Sequence, residues 1–180
     1  MNIKKALTKN KSERHYELLT HPDPRLSQKS IEVNLDSEEE KAQIQELAAV
    51  LIATMRREKG AGLAAIQIGI AKRIFAYEAD DGSEAVIVNP RITYSSDTLV
   101  EDEEGCLSIP ALYAPLQRSE RVVVEGYNQD GEAVKIGAEG FLARVFQHEI
   151  DHLNGEIFIN HLPAEVKKHA LREYFDLQAN

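Results

Sequence analysis

A single cysteine, Cys106, leaves the chain unable to close an internal disulfide, and the compartment this points to is a reducing one. No apolar stretch approaches the ~20 residues of a membrane span. Lysines 4, 5 and 9 are followed by no apolar run of signal-peptide length, and the arginine-rich amphipathic pattern of an organelle-targeting segment is missing. Positive charge is scarce. There are 21 Lys and Arg against 30 Asp and Glu, a formal net charge of -9, which argues against DNA or another nucleic acid as partner, because phosphate contacts need a basic face. Repeats, linkers and low-complexity tracts are absent too. These absences predict a cytoplasmic protein with no membrane association.

What remains is a chain of 180 residues, 43% hydrophobic, long enough for one domain over 1–180 with a real core. Residues 1–16 are polar and are expected to be loosely held. The spacing predicts a helix over 37–59, with Ser37 and Glu40 at capping-box separation. Ile44, Leu47, Ala48, Leu51, Ile52 and Met55 would form its apolar stripe, and Gly60 its end. Segments 73–79 and 84–92 read as a hairpin around 80–83, and 121–127 and 133–136 as a second around 128–131. A second helix is expected over 140–153 with Phe141, Leu142, Val145 and Phe146 on its apolar side, then a short strand over 156–160. The last element is a helix over 164–177, with Val166, Ala170, Leu171, Tyr174 and Phe175 apolar. Strand runs with separated helices point to an α+β fold.

The strongest local signal is His148-Glu149-Ile150-Asp151-His152. Histidines at i and i+4 share one helix face, so both imidazoles can reach one ion, and Glu149 sits where a carboxylate can handle protons on water. The plain alternative is a helix with two ordinary histidines and a solvent-facing acid. A catalytic site usually has three protein ligands and an open position, so a third is needed. Glu156, His161, His169 and Glu173 lie downstream, each of a type at home in solvent. Cys106, between Gly105 and Leu107-Ser108, is the other candidate: a thiolate is a strong ligand for zinc or ferrous iron. Read as a nucleophile instead, Cys106 would leave the paired histidines and Glu149 unexplained.

Gly60-Ala61-Gly62-Leu63-Ala64-Ala65-Ile66-Gln67 allows close backbone approach, but it lacks the lysine and hydroxyl residue of a phosphate loop. Gln67 fits a hydrogen-bonded core amide or, beside a metal, a donor aimed at a developing oxyanion.

Three segments together resemble the peptide deformylase family. They are Gly60–Gln67, Glu104-Gly105-Cys106-Leu107-Ser108, and the run from Gln147 through His148, Glu149, Asp151 and His152 to Gly155, in the family's order. His21-Pro22-Asp23-Pro24-Arg25-Leu26 is similar to its N-terminal region, and the resemblance spans roughly 17–170. It implies bent antiparallel sheets packed around a central motif-bearing helix, flanked by an N-terminal and a C-terminal helix. It implies removal of formyl groups from N-formylmethionyl nascent chains, with formate released. Cys106, His148 and His152 would hold one divalent ion, natively Fe(II), with Zn(II) or Ni(II) able to replace it. Glu149 would be the general acid and base, Gln67 and the Leu107 backbone N–H the oxyanion donors, and Gly62 and Gly105 the partners of an extended substrate backbone.

The chain departs from the family in two places. The first 16 or so residues precede the family's usual start. An arginine that anchors substrate in several relatives has no counterpart in 111–114; Arg118 is further along. Arg144, one turn before His148, could offer its stem to a methionine pocket or form a surface salt bridge. Two rival functions remain. A metallopeptidase would use the same pentapeptide without needing Cys106. A silent ribosome-associated protein should have lost Glu149, Gln67 or a ligand, and none is missing. Lys167, Lys168, His169 and Arg172 are the candidate basic face for docking near the ribosomal exit tunnel, against an ordinary solvated helix.

Overall fold

The computed structural model describes residues 16–179. The expected loose segment 1–16 therefore lies outside the described residues except for Tyr16, whose carbonyl accepts a hydrogen bond from Arg57.

Helix α1 runs Glu38–Arg57, and its predicted stripe is buried at Ile44, Leu47, Ala48, Leu51 and Met55. Ser37 caps it by accepting from the Glu40 N–H, at 3.3 Å. The reciprocal half of the capping box is missing. Glu40 reaches instead to the Asn34 N–H, at 3.2 Å, and to Lys72 Nζ, at 2.7 Å, tying the helix start to the loop before the sheet. Acidic residues in the first turn and Arg56 and Arg57 in the last match the helix dipole. At the far end Lys59, not Gly60, takes the left-handed conformation, with φ +56°. Gly60 follows it, donating to the Met55 carbonyl at 3.0 Å.

The strands are β1 (Gly62–Ala64), β2 (Ile74–Glu78), β3 (Glu84–Ser95), β4 (Leu99–Cys106), β5 (Ile109–Ser119), β6 (Arg121–Tyr127) and β7 (Ala133–Glu139). All pair antiparallel, in one sheet of order β1-β2-β3-β6-β7 and a ribbon β4-β5. Both predicted hairpins form in the five-stranded sheet. Alternation along β2 feeds two cores: Ile74 and Ala76 pack with α1, while Phe75 and Tyr77 face the opposite way. There they meet Leu142, Phe146 and Ile150 of helix α2 (Gly140–Asn154). α1 and α2 thus cover opposite faces of one sheet. A third cluster packs Leu112, Ala114 and Leu116 of β5 against Ile157–Ile159 and helix α3 (Ala164–Gln178). The α+β expectation, sheets around a motif-bearing helix with a helix on either side, holds.

Two expectations need correction, and one element was not anticipated. The segment 156–160 is not a strand: Phe158–Asn160 is a 3-10 turn. Ile157, Phe158 and Ile159 are all buried in succession, which an alternating strand against one core does not allow. The ribbon β4-β5 was not anticipated. Glu101, Asp102 and Glu103 hide β4 behind charge, and Pro110 and Pro115 interrupt β5. Finally, Phe141, Val166 and Phe175, expected on apolar faces, are exposed.

α2 stops at Gly155, whose φ of +82° favours glycine. A Cβ there would lie 2.7 Å from the Ser27 carbonyl oxygen, where the N-terminal turn packs against the helix end. Gly155→Ala is expected to lower stability by about 1–3 kcal/mol through strain and clash. Equilibrium urea unfolding measures it, and an unchanged midpoint would show that this junction relaxes freely.

Candidate metal centre

The helical register of α2 puts His148 and His152 one turn apart, with their Nε2 atoms 3.2 Å from each other. Cys106 closes β4, and its Sγ lies 3.2 Å from His152 Nε2. The three candidate ligand atoms fall within 4.8 Å of one another, and all three residues are buried. A thiolate and two imidazoles converging on one point fit a single zinc or ferrous ion, with a fourth position left over. That side opens into a cleft of about 570 Å³ lined by Gly62, Gln67, Leu107 and Glu149 together with the candidate ligands Cys106 and His148. The other third-ligand candidates lie elsewhere. Glu156 accepts from Asn160, His161 meets Asp151 and His169 meets Glu173. A nucleophilic Cys106 would need one imidazole, whereas here two present Nε2 to the same place.

Behind the histidines lies a set of charges that sequence reading missed. Glu104 is buried, and its Oε1 sits 2.7 Å from His148 Nδ1. A carboxylate there engages Nδ1 and turns Nε2 toward His152. Arg118 grips Glu104 through two bonds, of 2.7 and 3.1 Å, and Arg144 adds a third of 2.9 Å. Arg118 also donates to Asp151 at 2.6 Å, and Asp151 reaches His161 at 2.9 Å. Burial alone would raise the Glu104 pKa. Hydrogen bonds from His148 and Arg118 outweigh it and hold the carboxyl well below its ordinary range. Arg144 is thus neither a surface ion pair nor a free stem: it lines the cleft while binding Glu104 and the Leu116 and Val100 carbonyls. Arg118 is locked in the same cluster, turned away from any role as a substrate anchor.

Glu149 has the opposite surroundings. It is buried, its Oε2 has no hydrogen-bond partner among the described residues, and burial pushes its pKa up to about 7. Gly62 lies against it: a Cβ on Gly62 would come 2.5 Å from Glu149 Oε1. The close approach offered by the glycine-rich segment therefore serves this carboxylate. Gln67 is buried beside the cysteine. Its Oε1 accepts from the Ala64 N–H at 2.8 Å, which directs Nε2 toward Ser108 Oγ, at 3.2 Å, and Cys106 Sγ, at 3.8 Å. Gln67 is a hydrogen-bonded buried amide whose nitrogen faces Cys106 and Ser108. Leu107 occupies the turn between β4 and β5, and Gly105 lines the cleft one residue before the thiol.

On α3, Lys167 is tied to Asn160 Oδ1 at 2.7 Å, while Lys168, His169 and Arg172 are exposed beside Glu165 and Glu173. No helix among the described residues is long and apolar enough to cross a membrane.

Comparison with known proteins agrees with this geometry. The family model for polypeptide deformylase matches residues 15–168. Peptide deformylase of Desulforudis audaxviator is 41% identical over 145 residues, 81% of this chain and 92% of that protein. The Thermomicrobium roseum protein of the same name is 41% identical over 153 residues, covering 81% and 84%. The crystal structure of a peptide deformylase from Legionella pneumophila superposes with a TM-score of 0.82 at 36% identity, covering 91% of this chain and 95% of that one. The structure of peptide deformylase from Thermus thermophilus gives 0.81 at 39% identity, covering 88% and 92%. Matched over most of its length by the family model and by these relatives, the chain belongs to the peptide deformylase family, metal-dependent hydrolases that deformylate nascent peptides.

Proposed function

We propose that the chain hydrolyses the terminal formamide of N-formylmethionyl nascent polypeptides in the cytoplasm, with the residues around its Cys-His-His cluster dividing the work. The observation that carries this reading is the convergence of Cys106 Sγ and two imidazole nitrogens beside a buried Glu149 that lines the cleft and whose Oε2 has no hydrogen-bond partner among the described residues. Cys106, His148 and His152 would hold one divalent ion, natively ferrous iron. When bound, that ion supplies Lewis acidity, bringing the pKa of water toward about 7.

The chain's own groups do the rest. Water adds to the formyl carbon and the C–N bond breaks, leaving formate and a free amine. Glu149 takes the proton of the attacking water and returns it to the departing nitrogen; a carboxyl whose burial holds it near 7 can do both. Gln67 Nε2 and the Leu107 N–H meet the charge that develops on the formyl oxygen, one such donor being worth roughly 3 kcal/mol. Gly62 and Gly105 would pair with the extended substrate backbone along the cleft walls. Glu104 keeps His148 Nε2 aimed inward. A peptidase has no use for Cys106, and a silent binder has none for Glu149 and Gln67. Ribosome contact would fall to α3, where Lys168 and Arg172 are exposed and Glu165 and Glu173 interrupt the positive face.

Anaerobically purified protein should release formate from formyl-Met-Ala-Ser, and Glu149→Ala should lower kcat/KM by roughly 10²–10⁴-fold while keeping its metal. Metal-loaded wild type that yields no formate would sink the reading. Glu104→Gln should weaken metal binding by roughly 10–100-fold in a chelator competition. It should also cost about 3–5 kcal/mol of stability, because two buried arginines lose their carboxylate. Unchanged metal affinity would show that Glu104 does not orient His148.

A further inference from the structure

Two large apolar side chains stand apart from the buried pattern. Among the described residues, Tyr113 at 68% and Phe141 at 66% have the greatest exposure of the large hydrophobics, Ile31 equalling the latter. A scattered surface ring needs no explanation. These two, from different elements, both line the one cleft that holds the metal cluster.

Each is placed there by local structure. Phe141 starts a stripe on α2 that continues through Arg144 and Val145 to His148, and every one of these residues lines the cleft. At 1.5 Å per residue, Phe141 lies about 10 Å along the helix from His148. An extended peptide advances ~3.3 Å per residue, so a substrate with its formyl group at His148 that ran along this stripe would bring its second or third residue to the ring.

Tyr113 pairs with Gly105, and the next ladder partner jumps from Tyr113 to Ile109, so that residues 110–112 loop out of β5. Ala111 in this bulge has φ +65°, a conformation that L-residues rarely adopt. The Tyr113 ring lies against Gly105, where an added Cβ would come 2.5 Å from Cε1. It therefore flanks the strand edge beside the metal ligand Cys106. No arginine of the cluster competes for this site: Arg144 is bound to Glu104 and two carbonyls, and Arg118 to Glu104 and Asp151.

We infer that Tyr113 and Phe141 form an aromatic lip that selects formylated peptides with a large apolar or aromatic side chain at the second or third residue. The inference rests on the deformylase reading of the same cleft and adds its substrate preference.

The test compares kcat/KM for formyl-Met-Ala-Ala, formyl-Met-Phe-Ala and formyl-Met-Ala-Phe in wild type, Tyr113→Ala, Tyr113→Phe and Phe141→Ala. Wild type should favour the better phenylalanine peptide over the alanine peptide by roughly five- to tenfold, the scale of one aromatic contact. Tyr113→Ala and Phe141→Ala should each move that ratio toward one, and Tyr113→Phe should keep it. A wild-type ratio near one, or a ratio unchanged in both alanine variants, overturns the lip while leaving deformylation intact. Formate from none of the three peptides would remove the deformylase reading itself, and the lip with it.

Discussion

The candidate metal centre depends on one buried carboxylate. Glu104 lies at the meeting point of β4, β5 and α2, with Arg118 on one side, Arg144 on another and the His148 imidazole on a third. An isolated carboxylate would not stay ionised at such a place, and two isolated guanidinium groups would be worse. Together they satisfy one another, and the pairing has a geometric consequence. Arg118 reaches from β5 to Asp151 on α2, so the ribbon is pinned to the helix by charge as well as by packing. The strand that carries Cys106 is thereby held at a fixed depth against the helix that carries both histidines. Three ligand atoms from two elements can then lie within 4.8 Å without any being adjacent in sequence to both others.

The sheet supplies the opposite wall. Because β2 buries both of its faces, α1 and α2 are separated by the sheet, and β1 emerges next to the middle of α2. Gly62 on β1 approaches Glu149 so closely that no side chain fits between them. Two residues on, the Ala64 N–H holds the Gln67 side-chain oxygen, which turns its nitrogen toward the cysteine. The glycine-rich segment is thus a strand edge that sets a carboxylate and an amide beside the candidate ligands.

Much of this was legible in the sequence, for identifiable reasons. The paired histidines stood out because 3.6-residue periodicity is local, and Cys106 because its chemistry completes a ligand set. α1 was legible from its stripe and its Ser37 cap. The ribbon β4-β5 was not, since its first strand reads as a run of solvated acids. Only burial separates Glu104 from Glu101, Asp102 and Glu103, and burial there is set by residues 14 and 40 positions away, Arg118 and Arg144. The alternation of Leu112, Ala114 and Leu116 was the available signal for β5, masked by two prolines. The segment around Phe158 misled for the converse reason. A short β-rich apolar trio looks the same whether it alternates or turns, and here all three side chains found one core.

Glu104 and Glu149 show how one chemical group acquires two different protonation tendencies beside the same histidine. Both are buried. Glu104 meets three donors, so its ionised form is favoured and its proton is never in play. Glu149 lies against a glycine with one oxygen unpartnered, so burial dominates and its pKa rises to about 7. A carboxylate that cannot be protonated is suited to orienting a ligand. One poised near neutrality is suited to moving protons, and a neighbouring cation would draw it back toward the ionised, accepting form. The division follows from the surroundings: donors around Glu104 outweigh its burial, and Glu149 Oε2 meets none among the described residues. The charged cluster behind His148 therefore keeps Glu104 ionised while burial holds Glu149 near neutrality.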